Sequence, residues 1–272
     1  MESLKELNQI CQKPRYREVG NWMVRHVERD AALPITWLLL HTAVTANQVT
    51  AVSLLVGLAG IWLFALPPQV FFLIGVMLMQ LWYLLDHVDG QIARYRKTAC
   101  LSGRFFDFVT HHLIHGVIPF SLGWYAYGVT NWTFFAIWGF AVSLSMTVFN
   151  LINDTKYKTF FEALSHGGKF RIIRGTKEIE AEREYGSREI PKKIFSLLHK
   201  LSEIHVLMNI LTLAAILQVF LRISLDYRMA LFLFYGFVIP LITTVKLVYL
   251  ISRRKIDQEF GTAFERLGGS GE

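Results

Sequence analysis

Six predominantly apolar stretches, residues 48–66, 69–95, 101–128, 132–152, 203–221 and 229–252, dominate this chain of 272 residues. A helix needs about 20 such residues to cross a bilayer, and in hydrocarbon it must satisfy its own backbone polar groups. Residues are 53% hydrophobic and 14% aromatic, a composition that points to a polytopic membrane protein rather than a soluble globule. The expected fold class is therefore an all-α, multi-pass integral membrane protein with six transmembrane helices.

The charges give that bundle an orientation. Links between spans one and two (Pro67, Pro68) and between spans three and four (Val129 to Asn131) contain no Lys or Arg. Basic residues gather on the other side: Lys5, Lys13, Arg15, Arg17, Arg25 and Arg29 before the first span, Arg96 and Lys97 after the second, and Arg253, Arg254 and Lys255 after the last. The segment from Lys156 to Lys200 is also rich in them, and Arg222 and Arg228 are the exceptions near the opposite face. Basic loops stay in the cytoplasm, so both termini are expected there. The net charge of +7 then suits an anionic lipid surface or a phosphorylated substrate rather than nucleic acid.

Three polar regions frame the spans. Residues 1–47 form the first, and its first thirty or so residues lack the apolar centre of a secretory leader. Within this region, residues 30–46 carry Leu33, Ile35, Trp37, Leu38, Leu39 and Leu40, which predicts an N-terminal amphipathic helix lying in the interface. Residues 153–202 read as a cytoplasmic insertion within the 48–252 transmembrane domain, with a charged helical stretch near 176–184, and 253–272 as a cytoplasmic tail. Cys11 and Cys100 form neither a disulfide framework nor a metal-binding spacing.

Across the second and third spans runs Asp-x-x-Asp-Gly-x-x-Ala-Arg, then eight residues, then Gly-x-x-x-Asp-x-x-x-His. Its members are Asp86, Asp89, Gly90, Ala93, Arg94, Gly103, Asp107 and His111. Ionisable groups at membrane depth are expensive and mark function by default. Helical spacing puts Asp86, Asp89, Gly90 and Ala93 on one stripe, and Gly103, Asp107, His111 and His115 on another. A short turn lets the stripes face each other. Oxygen ligands from Asp86, Asp89 and Asp107 suit Mg²⁺ or Mn²⁺. The small residues admit a substrate against the helix backbones, and Arg94 suits a phosphate. This is chemistry for transferring a phosphate ester from a metal-bound diphosphate to a hydroxyl.

The motif resembles the signature of the CDP-alcohol phosphotransferase family at every position but the last, where His111 replaces an aspartate. Thr45-Ala46-Asn47-Gln48-Val49-Thr50 is similar to the family's Thr-Pro-Asn-x-aliphatic-Thr sequence before its first span, with Ala46 in place of proline. The resemblance implies a CDP-alcohol donor, a hydroxyl acceptor on a lipid or polyol phosphate, release of CMP, a two-metal site at the cytoplasmic face and a homodimer. It makes Asp86, Asp89 and Asp107 metal ligands. It places Gly90, Ala93, Arg94 and Gly103 around the CDP-alcohol, with Asn47 and Thr50 shaping the nucleotide end.

His111 falls where the family's general base stands. Neutral imidazole accepts a proton near pH 7 and binds metals, so catalytic and ligand roles both remain open at this position. The resemblance is compatible with a histidine-based enzyme, an altered metal arrangement, or a protein that binds CDP-alcohols without turnover. A metal-binding membrane protein or transporter is the rival class, since Asp107, His111 and His115 also suit Zn²⁺ or Fe²⁺. His112 and His115 read first as hydrogen-bonded helix residues.

Overall fold

A computed structural model of the chain describes residues 3–12, 23–166, 169–173, 190–221 and 225–267. The charged stretch predicted near 176–184, and Arg222, lie outside them. Helix α1 is Leu4–Cys11, and a π-turn, Val24–Glu28, leads into α2, Arg29–Leu40. The long helices follow as α3 (Ala46–Phe64), α4 (Gln69–Tyr95), α5 (Leu101–Thr130) and α6 (Thr133–His166). After β1 (Lys169–Ile172) come α7 (Ile190–Leu201), α8 (Ile204–Phe220), α9 (Tyr227–Ser252), α10 (Lys255–Ala263) and β2 (Phe264–Leu267).

Each of the six apolar stretches is covered by a long helix. Among the described residues, α3, α4, α6 and α9 are long and apolar enough to cross a membrane individually. Residues Phe195–Leu201 and Ile204–Phe220 meet that standard together, bent by 69° at their junction. Helix α5 is outside this set. Its 30 residues provide ample length, but Arg104, Asp107, His111, His112 and His115 dilute its apolar character. Four or five such segments among the described residues are consistent with an integral membrane protein.

Small residues bring the helices together. A Cβ on Gly60 would lie 2.8 Å from the Gly75 carbonyl oxygen, so α3 and α4 meet backbone to backbone. A Cβ on Gly123 would lie 2.5 Å from Gly139 Cα, which makes the same argument for α5 and α6. In a bilayer such close approach supplies the packing that water would otherwise drive. Trp82, Phe64, Phe72, Ile114, Ile118 and Met146 fill the space around these crossings.

Arg228, one of the exceptions to the charge rule near the opposite face, is fully buried at the start of α9. Its guanidinium donates to the carbonyl oxygens of Phe64, Leu66 and Pro67 and lies over the Tyr125 ring, 3.4 Å from its centroid. A buried cation here satisfies the unpaired carbonyls at the C-terminal end of α3.

Helix α6 continues to His166, beyond the predicted span end at 152, because charged residues end a membrane span without ending a helix. Its far end meets the C-terminal segment. There β1 pairs antiparallel with β2, with Phe170 opposite Arg266. Phe160, Phe260 and Phe264 pack edge to face or tilted beneath the ladder. Apart from this two-stranded ladder, the described fold is helical.

Candidate active site

Local signals fix where the motif helices begin. Thr45 caps α3 reciprocally: its hydroxyl accepts from Gln48 N at 3.3 Å, and its own N–H donates to Gln48 Oε1 at 2.8 Å. This capping box puts Asn47 and Thr50 on the first turns of α3. Arg96 then ties the α4–α5 turn to the preceding linker by donating to the carbonyl oxygens of Val44 and Thr42. Lys97 adopts φ 54°, and Cys100 Sγ accepts from Gly103 N to start α5. Both motif helices pack against α3, and the turn between them brings their motif residues to one cleft.

Across that hairpin, Asp86, Asp107 and His111 converge, each offering one ligand atom within 4.8 Å of the others. His111 Nε2 lies 2.8 Å from Asp86 Oδ1 and 3.3 Å from Asp107 Oδ1. Asp89 is not part of this trio. It is buried against α3, where Thr50 Oγ1 donates to its Oδ2 at 2.5 Å. All the same, Asp89 lines the same cleft as Asp86 and Asp107.

That cleft has a volume of about 560 Å³. Asn47, Thr50, Gly90, Ala93, Arg94 and Gly103 line it together with the three aspartates. Gly103 lies close to α3: a Cβ there would stand 3.3 Å from Asn47 Oδ1. A Cβ on Gly90 would lie 3.0 Å from one terminal nitrogen of Arg94, so that guanidinium is draped over the glycine. Two carboxylates and an imidazole form a donor set suited to a divalent cation. Asp107 Oδ1, buried and held by the 3.3 Å ion pair with His111, fits the same use.

The other two histidines have separate employment. His112 Nδ1 donates to the Phe108 carbonyl, and its Nε2 lies 2.8 Å from Asp154. His115 is buried with Nδ1 3.1 Å from Asn150 Nδ2. Both therefore sit outside the trio.

Several residues of the site do not stand out in sequence. His87 sits inside the Asp-x-x-Asp spacing, and its Nε2 reaches Glu28 Oε2 at 3.7 Å. Burial pushes the Glu28 carboxyl up to about 7, aided by the charge of Asp86 and opposed by those of His205 and Arg29. Gln91 accepts from Thr36 Oγ1 at 2.6 Å and donates to the Arg29 carbonyl at 2.9 Å, which seats α2 on α4. Glu28 and Gln91 carried one available signal: polar residues flanking or interrupting apolar helical stripes.

Acidic residues of two helices facing one cleft of an apolar helical bundle make a site suited to a metal-bound phosphate ester. The sequence matches the CDP-alcohol phosphatidyltransferase family over residues 43–173, a range that contains every one of these motif residues. The chain is similar to that family over this segment, which is a little under half of its length. It is also similar to the bifunctional IPC transferase and DIPP synthase of Thermococcus kodakarensis, at 26% identity over 137 residues. The match takes in 50% of this chain and 31% of that relative, so the chain corresponds to about a third of its length. The family uses a divalent metal, and the Asp86, Asp107 and His111 cluster is a place for one.

Proposed function

We propose that the protein transfers a phosphoalcohol group from a CDP-alcohol to an acceptor hydroxyl and releases CMP. One observation carries this reading: all three motif aspartates face a single cleft with Gly90, Ala93, Arg94 and Gly103, inside the matched family domain. Asp86 and Asp107 would hold a divalent ion, with Asp89 contributing from the same cleft, which leaves the His111 imidazole beside them for proton transfer. Mg²⁺ or Mn²⁺ bound there supplies neutralisation of pyrophosphate charge.

The chain's own residues do the remaining work. Gly90, Ala93 and Gly103 leave room for the nucleotide against the helix backbones. Arg94 directs its guanidinium towards phosphate oxygens, and Asn47 and Thr50 shape the nucleotide end. The acceptor oxygen forms a bond to the phosphorus of the alcohol moiety while the bond to the CMP oxygen breaks. His111, at the position of the family's base, takes the acceptor proton.

We read the six long helices as six spans, with α2 in the interface. The charge pattern supports cytoplasmic termini and a site at the cytoplasmic face. By resemblance the protein is a homodimer serving phospholipid or polyol-phosphodiester synthesis.

Purified protein supplied with Mg²⁺ or Mn²⁺ and a panel of CDP-alcohols and acceptors should release CMP, and Asp107→Ala should not. Failure of every donor and acceptor pair to yield CMP would sink the transfer reading. The 2.8 Å contact of His111 with Asp86 favours one second reading, CDP-alcohol binding without turnover. That reading predicts saturable donor binding and no CMP.

A further inference from the structure

Helix α1 lies outside the matched family residues, yet it reaches the most phosphate-adapted residue of the site. Arg94 donates through Nε to the carbonyl oxygen of Cys11, 83 positions earlier and at the end of α1. Leu7 and Cys11 are completely buried, packed with Leu33, Leu40 and Tyr95, the neighbour of Arg94 in α4. Gln12, the residue after α1, lines the cleft. At the other end, Ser3 and Glu6 cap the helix reciprocally, so this short element carries its own start signal.

The geometry of the guanidinium gives this contact a use. An arginine has five N–H donors in a fixed planar fork. Engaging Nε on a backbone carbonyl fixes the plane of that fork and leaves the terminal nitrogens at the far edge. One of these lies 3.0 Å from where a Gly90 Cβ would stand, over the motif glycine and inside the cleft. A long flexible side chain without such a tether loses rotamer entropy each time it engages a phosphate.

We propose that α1 is a positioning element of the donor site: docked through Leu7 and Cys11, it holds Arg94 so that its terminal N–H groups face the diphosphate of the bound CDP-alcohol. This rests on the donor chemistry proposed above. Neither Leu7 nor the Cys11 carbonyl touches substrate; both act through Arg94.

Leu7→Asp places a charge in the buried contact without altering the cleft wall. Docking of α1 is read from alkylation of the Cys11 thiol, resolved by mass spectrometry, which should be slow in the wild type and fast in Leu7→Asp. The variant should raise the KM for the CDP-alcohol by about tenfold or more, the scale of one charge-assisted hydrogen bond, and leave kcat within about twofold. Arg94→Lys, which lacks the Nε donor and the fork, should raise KM similarly, and the double variant should be no worse than Arg94→Lys alone. Removal of residues 2–12 should reproduce the Leu7→Asp result if that variant folds poorly.

Equilibrium binding of the CDP-alcohol, measured without acceptor, separates the two layers of the argument. A wild type that binds donor but releases no CMP sinks the transfer reading and leaves this inference standing. Equal donor affinity in the wild type, Leu7→Asp and the truncated chain overturns the inference and leaves transfer untouched. Additive effects in the double variant also overturn it.

Discussion

His111 Nε2 stands 2.8 Å from Asp86 Oδ1, across the gap between α4 and α5. An aspartate at position 111 would set a third carboxylate against Asp86 and Asp107. The imidazole instead brings a neutral or positive partner with one nitrogen aimed at the acids. His111→Ala should therefore lower kcat for CMP release by about 10²-fold or more, the usual scale of a lost general base. His111→Asp should retain more activity than His111→Ala if the position serves proton transfer. Full activity in His111→Ala, measured in the same CMP assay, would mean that the proton leaves by another route.

Metal removal tests the trio from the other side. Chelation should abolish CMP release, and Mg²⁺ or Mn²⁺ should restore it, because the ion neutralises the charge of the donor's diphosphate. Asp86→Asn and Asp107→Asn should each shift the metal concentration for half-maximal activity upward by about tenfold or more, the effect of losing one charged ligand. Activity that is indifferent to chelation would refute a metal at this cluster.

Much of this site was legible because its chemistry is local and periodic. Three- and four-residue spacing put Asp86, Asp89, Gly90 and Ala93 on one face, and the structure has that face lining a cleft. Thr45 and Gln48 likewise carry a helix-start signal readable from four residues. Asp89 was less predictable: spacing says which face it occupies, but its bond to Thr50 depends on how closely α3 and α4 approach. The reach of Arg94 to Cys11 and of Glu28 to His87 spans 83 and 59 positions, and no local pattern encodes either. The same holds for the pairing of β1 with β2, which joins a segment of the polar insertion to the tail.

Helix crossings give a prediction about stability rather than chemistry. Gly123 faces Gly139 so closely that a Cβ would stand 2.5 Å from backbone, where no side chain can swing aside. Gly123→Ala should force α5 and α6 apart and cost about 1–3 kcal/mol, the range for overpacking. Thermal unfolding in detergent or nanodiscs should show the loss, while Gly128→Ala, with nothing within 4 Å of its Cβ, should leave the transition in place. Equal transitions for the two variants would mean that the α5–α6 crossing tolerates separation.

Arg228 makes a comparable case with a charge. Its guanidinium caps the carbonyls of Phe64, Leu66 and Pro67 from a fully buried position. Arg228→Met keeps most of the volume but strands those carbonyls, at a cost of about 1–3 kcal/mol for each one left without a partner or water. Arg228→Lys should recover only part of this, since a point ammonium cannot span three acceptors as a planar fork does. Unfolding temperatures in the order wild type, lysine, methionine are expected; a methionine variant as stable as the wild type would show that water already serves these carbonyls.

Glu28 links stability to pH with a definite sign. Burial pushes its carboxyl from 4.5 up to about 7, so the folded protein keeps a proton that the unfolded chain has released. Stability from this group is fully present below about 4.5 and is lost as pH rises towards and through 7. Glu28→Gln retains the shape without the charge, so it should unfold at a higher temperature than the wild type at pH 8. Near pH 4.5 the two should unfold together, because the wild-type carboxyl is then protonated in the fold. His87 and His205 could instead hold the carboxylate charged, and the variant would then be the less stable protein at pH 8. Unfolding scans of both proteins at the two pH values decide between these outcomes.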